Sequence, residues 1–132
     1  MFAMVLLTFS VLVRLFRVRK KLVSERKIEQ SFFSVYQGEA EPESSAKLAR
    51  HFVNLYEAPV LFYVCCLAAL AVNVTGSLFL YLAWAYVGAR IVHSFIHTGS
   101  NSIWPRVYAY FSSWIVLLSM WALLVFRVIA AS

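Results

Sequence analysis

Charged residues are scarce in this sequence of 132 residues, where they make up 14% of the chain and hydrophobic residues make up 62%. Soluble domains average roughly 25% charged and about 45–50% apolar residues. A chain of this length has too much surface for its volume to hide such an apolar excess from water. The composition therefore excludes a soluble enzyme and a disordered chain, and it predicts a protein whose main solvent is lipid.

Cysteine is also rare, and the only two cysteines, Cys65 and Cys66, are adjacent within an apolar run. Neighbouring residues on a helix point about 100° apart, and a disulfide between them would be strained. The pair does not have the C-x-x-C spacing of a redox motif or a metal knuckle. A disulfide-rich secreted scaffold is therefore excluded, and we interpret both cysteines as small apolar packing residues.

Aspartate is absent, and the six acidic residues are outnumbered by twelve lysines and arginines, which leaves a net charge of +6. Many of the basic residues cluster between Arg14 and Lys27, directly after the first apolar segment. A basic block beside an apolar segment is typical of a cytoplasmic membrane boundary. It is accompanied by no zinc-finger spacing or RNA-binding aromatic signature. We therefore interpret the charge as contact with anionic lipid headgroups and not with nucleic acid.

Four apolar segments have the length of membrane-spanning helices, and they lie at about 2–18, 48–72, 78–97 and 103–129. A bilayer core of about 30 Å needs roughly 20 helical residues at 1.5 Å per residue. Alternating strand patterns are absent, and the runs are too long for barrel strands. We therefore predict an all-α fold, an integral membrane four-helix bundle that forms one domain over residues 1–132.

The connections between these segments predict the orientation in the membrane. A long basic stretch at about 19–46 follows the first segment, whereas the other connections are short turns. The positive-inside rule places the long stretch and the turn beside Arg106 in the cytoplasm, with both termini outside. In the first segment the positive charges follow the apolar run, which is the reverse of a signal peptide, so we predict a retained helix.

Polar residues recur at helical spacing within three of the segments, where a charge is costly and usually faces a bundle interior or a water-filled cavity. Each set shares one helix face. The sets are Arg50, Asn54 and Glu57 on the second helix, Arg90, His93 and His97 on the third, and Arg106, Tyr110 and Ser113 on the fourth. All three lie toward the predicted cytoplasmic ends, so we predict that they converge on one polar pocket.

Two interpretations of this pocket follow from the residue types. The groups could neutralise one another as structural contacts, with Glu57 paired to Arg50, Arg90 or Arg106. Alternatively, the pocket binds an anion, because guanidinium groups suit bidentate contacts with carboxylates and phosphates.

A metal site is a further interpretation, because His93 and His97 lie four residues apart and could share a metal with Glu57 or His51. The surrounding arginines would repel a divalent cation. From the sequence we therefore predict no metal.

Three stretches together resemble the MAPEG family, the membrane-associated proteins of eicosanoid and glutathione metabolism. The run from Arg50 through Asn54 to Glu57 is similar to the family's R-x-x-x-N-x-x-E on the second helix. Ala89-Arg90-Ile-Val-His93-Ser94 resembles the A-R-x-x-H-[ST] of the prostaglandin-synthase-like members, and Arg106 with Tyr110 resembles the R-x-x-x-Y that opens their fourth helix. The stretches at 32–38 and 54–63 look more like a bacterial branch of the family.

The resemblance implies a homotrimer of four-helix protomers in a lipid bilayer, with glutathione as cosubstrate between neighbouring subunits near the cytoplasmic side. It implies that Arg106 stabilises the glutathione thiolate, since a nearby cation favours the ionised and nucleophilic form of a thiol. It implies glutathione contacts at Arg50, Asn54, Glu57, Arg90, His93 and Tyr110. We therefore expect a transferase or peroxidase that acts on lipophilic electrophiles in a bacterial inner membrane.

Four positions depart from the pattern of the better-known members. His97 stands where the prostaglandin-synthase-like members have a tyrosine, Val107 replaces a serine, and Val53 replaces an arginine. Pro59 follows the glutamate more closely than the family's proline does. These departures leave open a non-catalytic protein that binds an anionic lipid or a partner in the same pocket. A small transporter or proton relay that uses Glu57 and the histidines is a third hypothesis, without the inverted repeat that would support it.

Overall fold

The computed structural model describes residues 1–35 and 41–131, and these residues form helices and turns without any strand. The helices are α1 (Phe2–Ser24), α2 (Phe32–Val35), α3 (Glu43–Asn54), α4 (Ala58–Ala71), α5 (Ser77–Thr98) and α6 (Ile103–Ala131). The prediction of an all-α membrane helical bundle is confirmed. Residues 36–40 of the predicted long loop, and residue 132, lie outside the described part of the chain.

Three spans are long and apolar enough to cross a membrane, namely Glu43–Ala71, Ser77–Thr98 and Ile103–Ala130. α1 is not among them, because its first eighteen residues, Phe2 to Arg19, already contain three arginines. Large apolar side chains are exposed along the helices, Phe95 and Phe126 among them. An apolar exterior of this kind is a liability in water and the expected surface in lipid.

α1 continues six residues beyond the end at 18 that the sequence predicts. Basic residues are good helix formers, so they extend the helix instead of opening the loop. The helix ends where Arg26 adopts a left-handed conformation with φ 52°. The Lys27 N–H then donates to the Leu22 carbonyl at 3.0 Å, which satisfies one of the free carbonyls at the helix end.

The sequence predicts one helix at about 48–72, but the structure has two helices in this region. α3 begins earlier, at Glu43, and ends at Asn54, whereas α4 begins at Ala58 with Pro59 in its first turn. Proline has no N–H, and its ring clashes with the carbonyl four residues before it. Proline in a helix interior therefore kinks or breaks the helix, whereas it is well tolerated in a first turn, which is where Pro59 lies in α4.

The apolar core lies where α4, α5 and α6 meet one face of α1. Phe62 of α4 stacks on Tyr86 of α5, with ring centroids 4.4 Å apart and ring planes at 15°. Leu117 of α6 belongs to the same buried cluster. Cys65 and Cys66 are free thiols buried in it, as expected of apolar packing residues.

Polar contacts hold α1, α3 and α5 together at one end of the bundle. Arg14 Nη1 donates to Thr98 Oγ1 at 3.1 Å, which ties α1 to the last turn of α5. Lys47 Nζ of α3 donates to the Gly99 carbonyl at 3.0 Å, and a cation is favourable at the carboxyl end of a helix. Arg19 makes a third such contact, to the residues that open α3. These contacts fix the end of the bundle that carries the candidate site.

Candidate functional site

A pocket of about 770 Å³ lies at this end of the bundle, between α3, the last turns of α5 and the first turns of α6. Six of its lining residues are site residues that the sequence singles out, namely Arg50, Asn54, Glu57, His93, Arg106 and Tyr110. Three of the positions that depart from the family pattern, Val53, His97 and Val107, line it as well. The polar stripes of three helices thus meet in one cavity, although a helix break lies within the first stripe.

Arg90 is the one selected residue that does not line the pocket, because it is fully buried, with 0% of its surface exposed. Its Nη2 donates to the backbone carbonyl of Asn54 at 2.9 Å, and its guanidinium carbon lies 5.6 Å from the centre of the Tyr110 ring. The Asn54 carbonyl can accept this bond because α3 ends there, and the last carbonyls of a helix have no helical donor. The break at Pro59 therefore creates the acceptor that holds Arg90.

The remaining donors of Arg90 are unusual for a buried cation. Its Nε and Nη1 have no hydrogen-bond partner among the described residues. Burying a charge without full pairing is expensive. The energetic cost is consistent with a binding role, because the charge lies directly beside two pocket residues, Asn54 and Tyr110.

Arg106 lies in the first turn of α6, and the turn before the helix orients its side chain. Arg106 Nη1 donates to the side-chain oxygen of Asn101. Asn101 itself is in the left-handed region with φ 52°, and its N–H donates to the Ile96 carbonyl at 2.8 Å. Asparagine is one of the few residues other than glycine that adopt this conformation readily. Asn101 was outside the predicted set of site residues, although its spacing of four residues from His97 continues the polar stripe of α5 in the sequence.

Glu57 and Arg50 line the pocket, and their side chains form no hydrogen bond or ion pair within the described part of the chain. Among the described residues, Glu57 forms no ion pair, and it opens α4 as the residue before the first helical turn. No direct ion pair joins Glu57 to Arg50, Arg90 or Arg106, which was one interpretation of the sequence, although the charge of Glu57 still interacts with that of Arg90. The pocket therefore presents one carboxylate and two guanidinium groups to a ligand.

Three histidines lie side by side at the inner wall of the pocket. His51 of α3 is fully buried, with its Nε2 2.8 Å from Ser94 Oγ of α5. His93 Nδ1 lies 3.1 Å from the backbone carbonyl of Arg106, and the His51 and His97 rings are 4.8 Å apart. The sequence places His93 and His97 on one face of α5, but the position of His51 beside them depends on how α3 packs on α5. Spacing within a single helix carries no such information.

Comparison with curated proteins and with solved structures gives no significant match. The model of the MAPEG family matches residues 1–126, which include every residue that lines the pocket. The match covers nearly the whole chain, from the start of α1 to the last turns of α6. This chain therefore belongs to the MAPEG family.

Proposed function

We propose that this protein is a glutathione-dependent transferase or peroxidase that acts on lipophilic electrophiles. One observation carries the proposal: the pocket gathers Arg50, Glu57 and Arg106, with no ion pair between them. Membership in the MAPEG family supports glutathione as the thiol.

The charges of the pocket suit those of glutathione, which has two carboxylates and one ammonium group at neutral pH. The guanidinium groups of Arg50 and Arg106 are suited to carboxylates or to a thiolate, and Glu57 is suited to the ammonium group. Arg90 adds positive potential from beneath, and the side chain of Asn54 can hydrogen-bond the peptide groups of the ligand.

The proposed chemistry begins with ionisation of the bound thiol. A guanidinium beside the sulfur stabilises the thiolate, which is the nucleophile, and we assign this role to Arg106. The thiolate attacks an electrophilic carbon, a sulfur–carbon bond forms, and the leaving group departs with its bonding electrons. With a hydroperoxide, the thiolate instead attacks one peroxide oxygen, so that a sulfur–oxygen bond forms, the oxygen–oxygen bond breaks and the other oxygen leaves as the alcohol after it takes a proton. A second glutathione then attacks the resulting sulfenic acid, which gives glutathione disulfide and water.

The border of the pocket offers a route for a lipophilic substrate. Val53, Ile103 and Phe111 line the pocket and are exposed, Val53 by 58%. Apolar side chains at a membrane surface contact acyl chains, so an electrophile dissolved in the bilayer can reach the sulfur without crossing water. In the proposed homotrimer, the neighbouring protomer would cover part of this same border.

The proposed topology has four spans across a bacterial inner membrane. α1 is the first span, and both termini lie outside the cytoplasm. The basic residues around the pocket end of the bundle support it, since such residues favour the cytoplasmic side. Labelling of introduced cysteines tests it: Lys21→Cys should react with an impermeant reagent only from the cytoplasmic side, and Thr75→Cys only from the other.

Calorimetric titration of the purified, detergent-solubilised protein with glutathione tests the proposed function. We expect saturable binding that weakens about tenfold or more in Arg50→Ala and Glu57→Ala, since each loses a charged hydrogen bond. Arg127→Ala is the matched control, because Arg127 is exposed at the opposite end of α6. A folded wild-type protein that gives no saturable heat would contradict the proposal.

A non-catalytic role is the second candidate, and it is favoured by Val107 and His97, which line the pocket where the related pattern has serine and tyrosine. In that case the pocket binds an anionic lipid or a partner. Mass spectrometry of co-purified lipids, together with the absence of glutathione conjugation, would support this candidate over the enzyme.

A further inference from the structure

The only three histidines of the chain lie together beside the pocket. His51 comes from α3, whereas His93 and His97 lie one turn apart on α5. One ring nitrogen of each lies within 4.8 Å of a ring nitrogen of each of the others. The proposed binding of glutathione by the arginines and Glu57 does not explain why three imidazole rings lie so close together.

Each of the three rings has a nitrogen that the protein leaves unused. The exposed fractions are 0% for His51, 2% for His93 and 5% for His97. His51 Nδ1, His93 Nε2 and His97 Nδ1 are buried and have no hydrogen-bond partner among the described residues. Buried polar atoms are nearly always satisfied, because leaving one unpaired costs about 1–3 kcal/mol. Each of three neighbouring rings therefore offers a nitrogen that is available to a ligand.

The hydrogen bonds on the opposite ring nitrogens favour metal binding. The Arg106 carbonyl can only accept, so His93 Nδ1 donates to it and His93 Nε2 retains its lone pair. His51 Nε2 lies 2.8 Å from Ser94 Oγ, which leaves its Nδ1 on the other side of the ring. Histidine ligands of metals usually donate their second ring N–H to a carbonyl or another oxygen, which fixes the ring and its tautomer.

We propose that His51, His93 and His97 bind a divalent transition-metal ion through one nitrogen each. Imidazole ligands suit zinc, copper and nickel, and not calcium or magnesium. Three histidines with an open fourth position are a known arrangement for zinc. This site goes beyond the proposed glutathione chemistry and does not depend on it.

The geometry requires only side-chain movement. Zinc binds histidine nitrogen at about 2.0–2.1 Å, so tetrahedral ligands would be about 3.4 Å apart, closer than the 4.8 Å that bounds the present separations. We expect small rotations of the imidazoles about their side-chain bonds to supply this closure. The two histidines of α5 already lie on one helix face, so the helix itself need not move.

Positive charge near the cluster was the reason to predict no metal from the sequence. In the structure much of that charge is held by hydrogen bonds to neutral oxygen atoms, and Arg50 stays in the pocket as a cation that an anion bound with the metal would offset. Arg14 and Arg106 point their guanidinium groups at Thr98 and Asn101. Arg90 donates to a carbonyl at the end of α3. His93 and His97 line the pocket, so the fourth coordination position faces it. There a hydroxide or another small anion can complete the coordination and reduce the net charge.

The test uses the full chain, produced without a histidine tag, freed of metal with a chelator and titrated with Zn²⁺ and with Co²⁺. We expect one ion per chain, the visible absorption of four-coordinate Co²⁺, and an X-ray absorption spectrum of the Zn²⁺ complex with three nitrogens at about 2.0–2.1 Å. These measurements use the wild type without glutathione, so their result does not depend on whether the protein binds glutathione.

Substitution identifies the ligands. His51→Ala and His97→Ala should each weaken Zn²⁺ binding by about 100-fold or more. Ser94→Ala should weaken it by about tenfold, since the hydrogen-bond partners of metal-binding histidines typically contribute about 10–100-fold. The double variant Cys65→Ala and Cys66→Ala is the control and should bind like wild type. If His97→Ala fails to fold, His97→Gln takes its place, because glutamine is closer to histidine in size.

Two outcomes would overturn the proposal. One is a folded wild-type protein that takes up no Zn²⁺ or Co²⁺ in a one-to-one ratio. The other is one-to-one binding with unchanged affinity in the histidine variants, which would assign the ion to other groups.

Discussion

Arg90 Nη2 donates a hydrogen bond to the backbone carbonyl of Asn54 across 2.9 Å, and this bond joins a buried cation on α5 to the end of α3. The carbonyl is available because Pro59 prevents α3 from continuing into α4. The end of α3 thus supplies an acceptor for a cation that is buried on α5. The helix break after Asn54 and the buried Arg90 together place positive charge beside Asn54 and Tyr110.

Replacing Arg90 by methionine should separate binding from stability. Arg90→Met removes a hydrogen bond to a charged group, but it also removes a buried charge with two unpartnered nitrogens. These effects oppose one another, so we expect the free energy of unfolding to change by less than about 2 kcal/mol. Glutathione affinity should fall by about tenfold or more. Denaturant titration in mixed micelles and calorimetry measure the two quantities.

The matched control for this substitution is Arg127→Met, at the exposed end of α6. It should change neither quantity. Loss of more than about 4 kcal/mol of stability in Arg90→Met, with unchanged affinity in the protein that remains folded, would show a purely structural role.

Two substitutions at Asn101 should distinguish backbone strain from orientation of Arg106. Asn101→Ala keeps φ at 52° but replaces asparagine with a residue that adopts this conformation less readily, so it should cost about 1 kcal/mol of stability. Asn101→Gly tolerates this φ but also lacks the amide oxygen that accepts from Arg106. We therefore expect both variants to lose affinity for glutathione to the same extent, and only the alanine variant to lose stability. Equal affinity in wild type and the glycine variant would rule out orientation of Arg106 by Asn101.

The entry to α3 offers a third prediction. Arg19 Nη2 lies 3.0 Å from Glu41 Oε1, and Arg19 Nε also donates to Ser45 Oγ at 3.2 Å. Because the pair is only partly exposed and shares a third partner, we expect a coupling energy of about 1 kcal/mol in a double-mutant cycle of Arg19→Ala and Glu41→Ala. The coupling should fall in high salt. The exposed pair Lys21 and Glu25 is the control, with coupling near zero.

Much of the architecture was predictable from the sequence, because lipid imposes long apolar helices and leaves charge at their ends. The starts of α5 and α6 follow directly from the short polar turns before them. The end of α1 could not be predicted in this way, since a run of basic residues can continue a helix as readily as it can begin a loop. The break after Asn54 was also missed, although Pro59 was visible as a departure from the family pattern.

The pocket was partly predictable for a related reason. Spacing of three, four and seven residues places Arg50, Asn54 and Glu57 on one face, and they do line the pocket. Spacing also put Arg90 on a face with His93, but it carries no information on how deep that face lies. The position of His51 beside α5 depends on the packing of α3, which no pattern within a single helix reveals.

The most direct measurement is the ultraviolet absorbance of the glutathione thiolate during titration of the protein at neutral pH. We predict a thiolate signal that saturates with glutathione in wild type and in Arg127→Ala, falls strongly in Arg106→Ala, and is partly restored in Arg106→Lys, since a cation near the sulfur favours the ionised thiol. If Arg106→Ala binds glutathione and gives the same thiolate signal as wild type, the role assigned to Arg106, and with it the central claim, is contradicted.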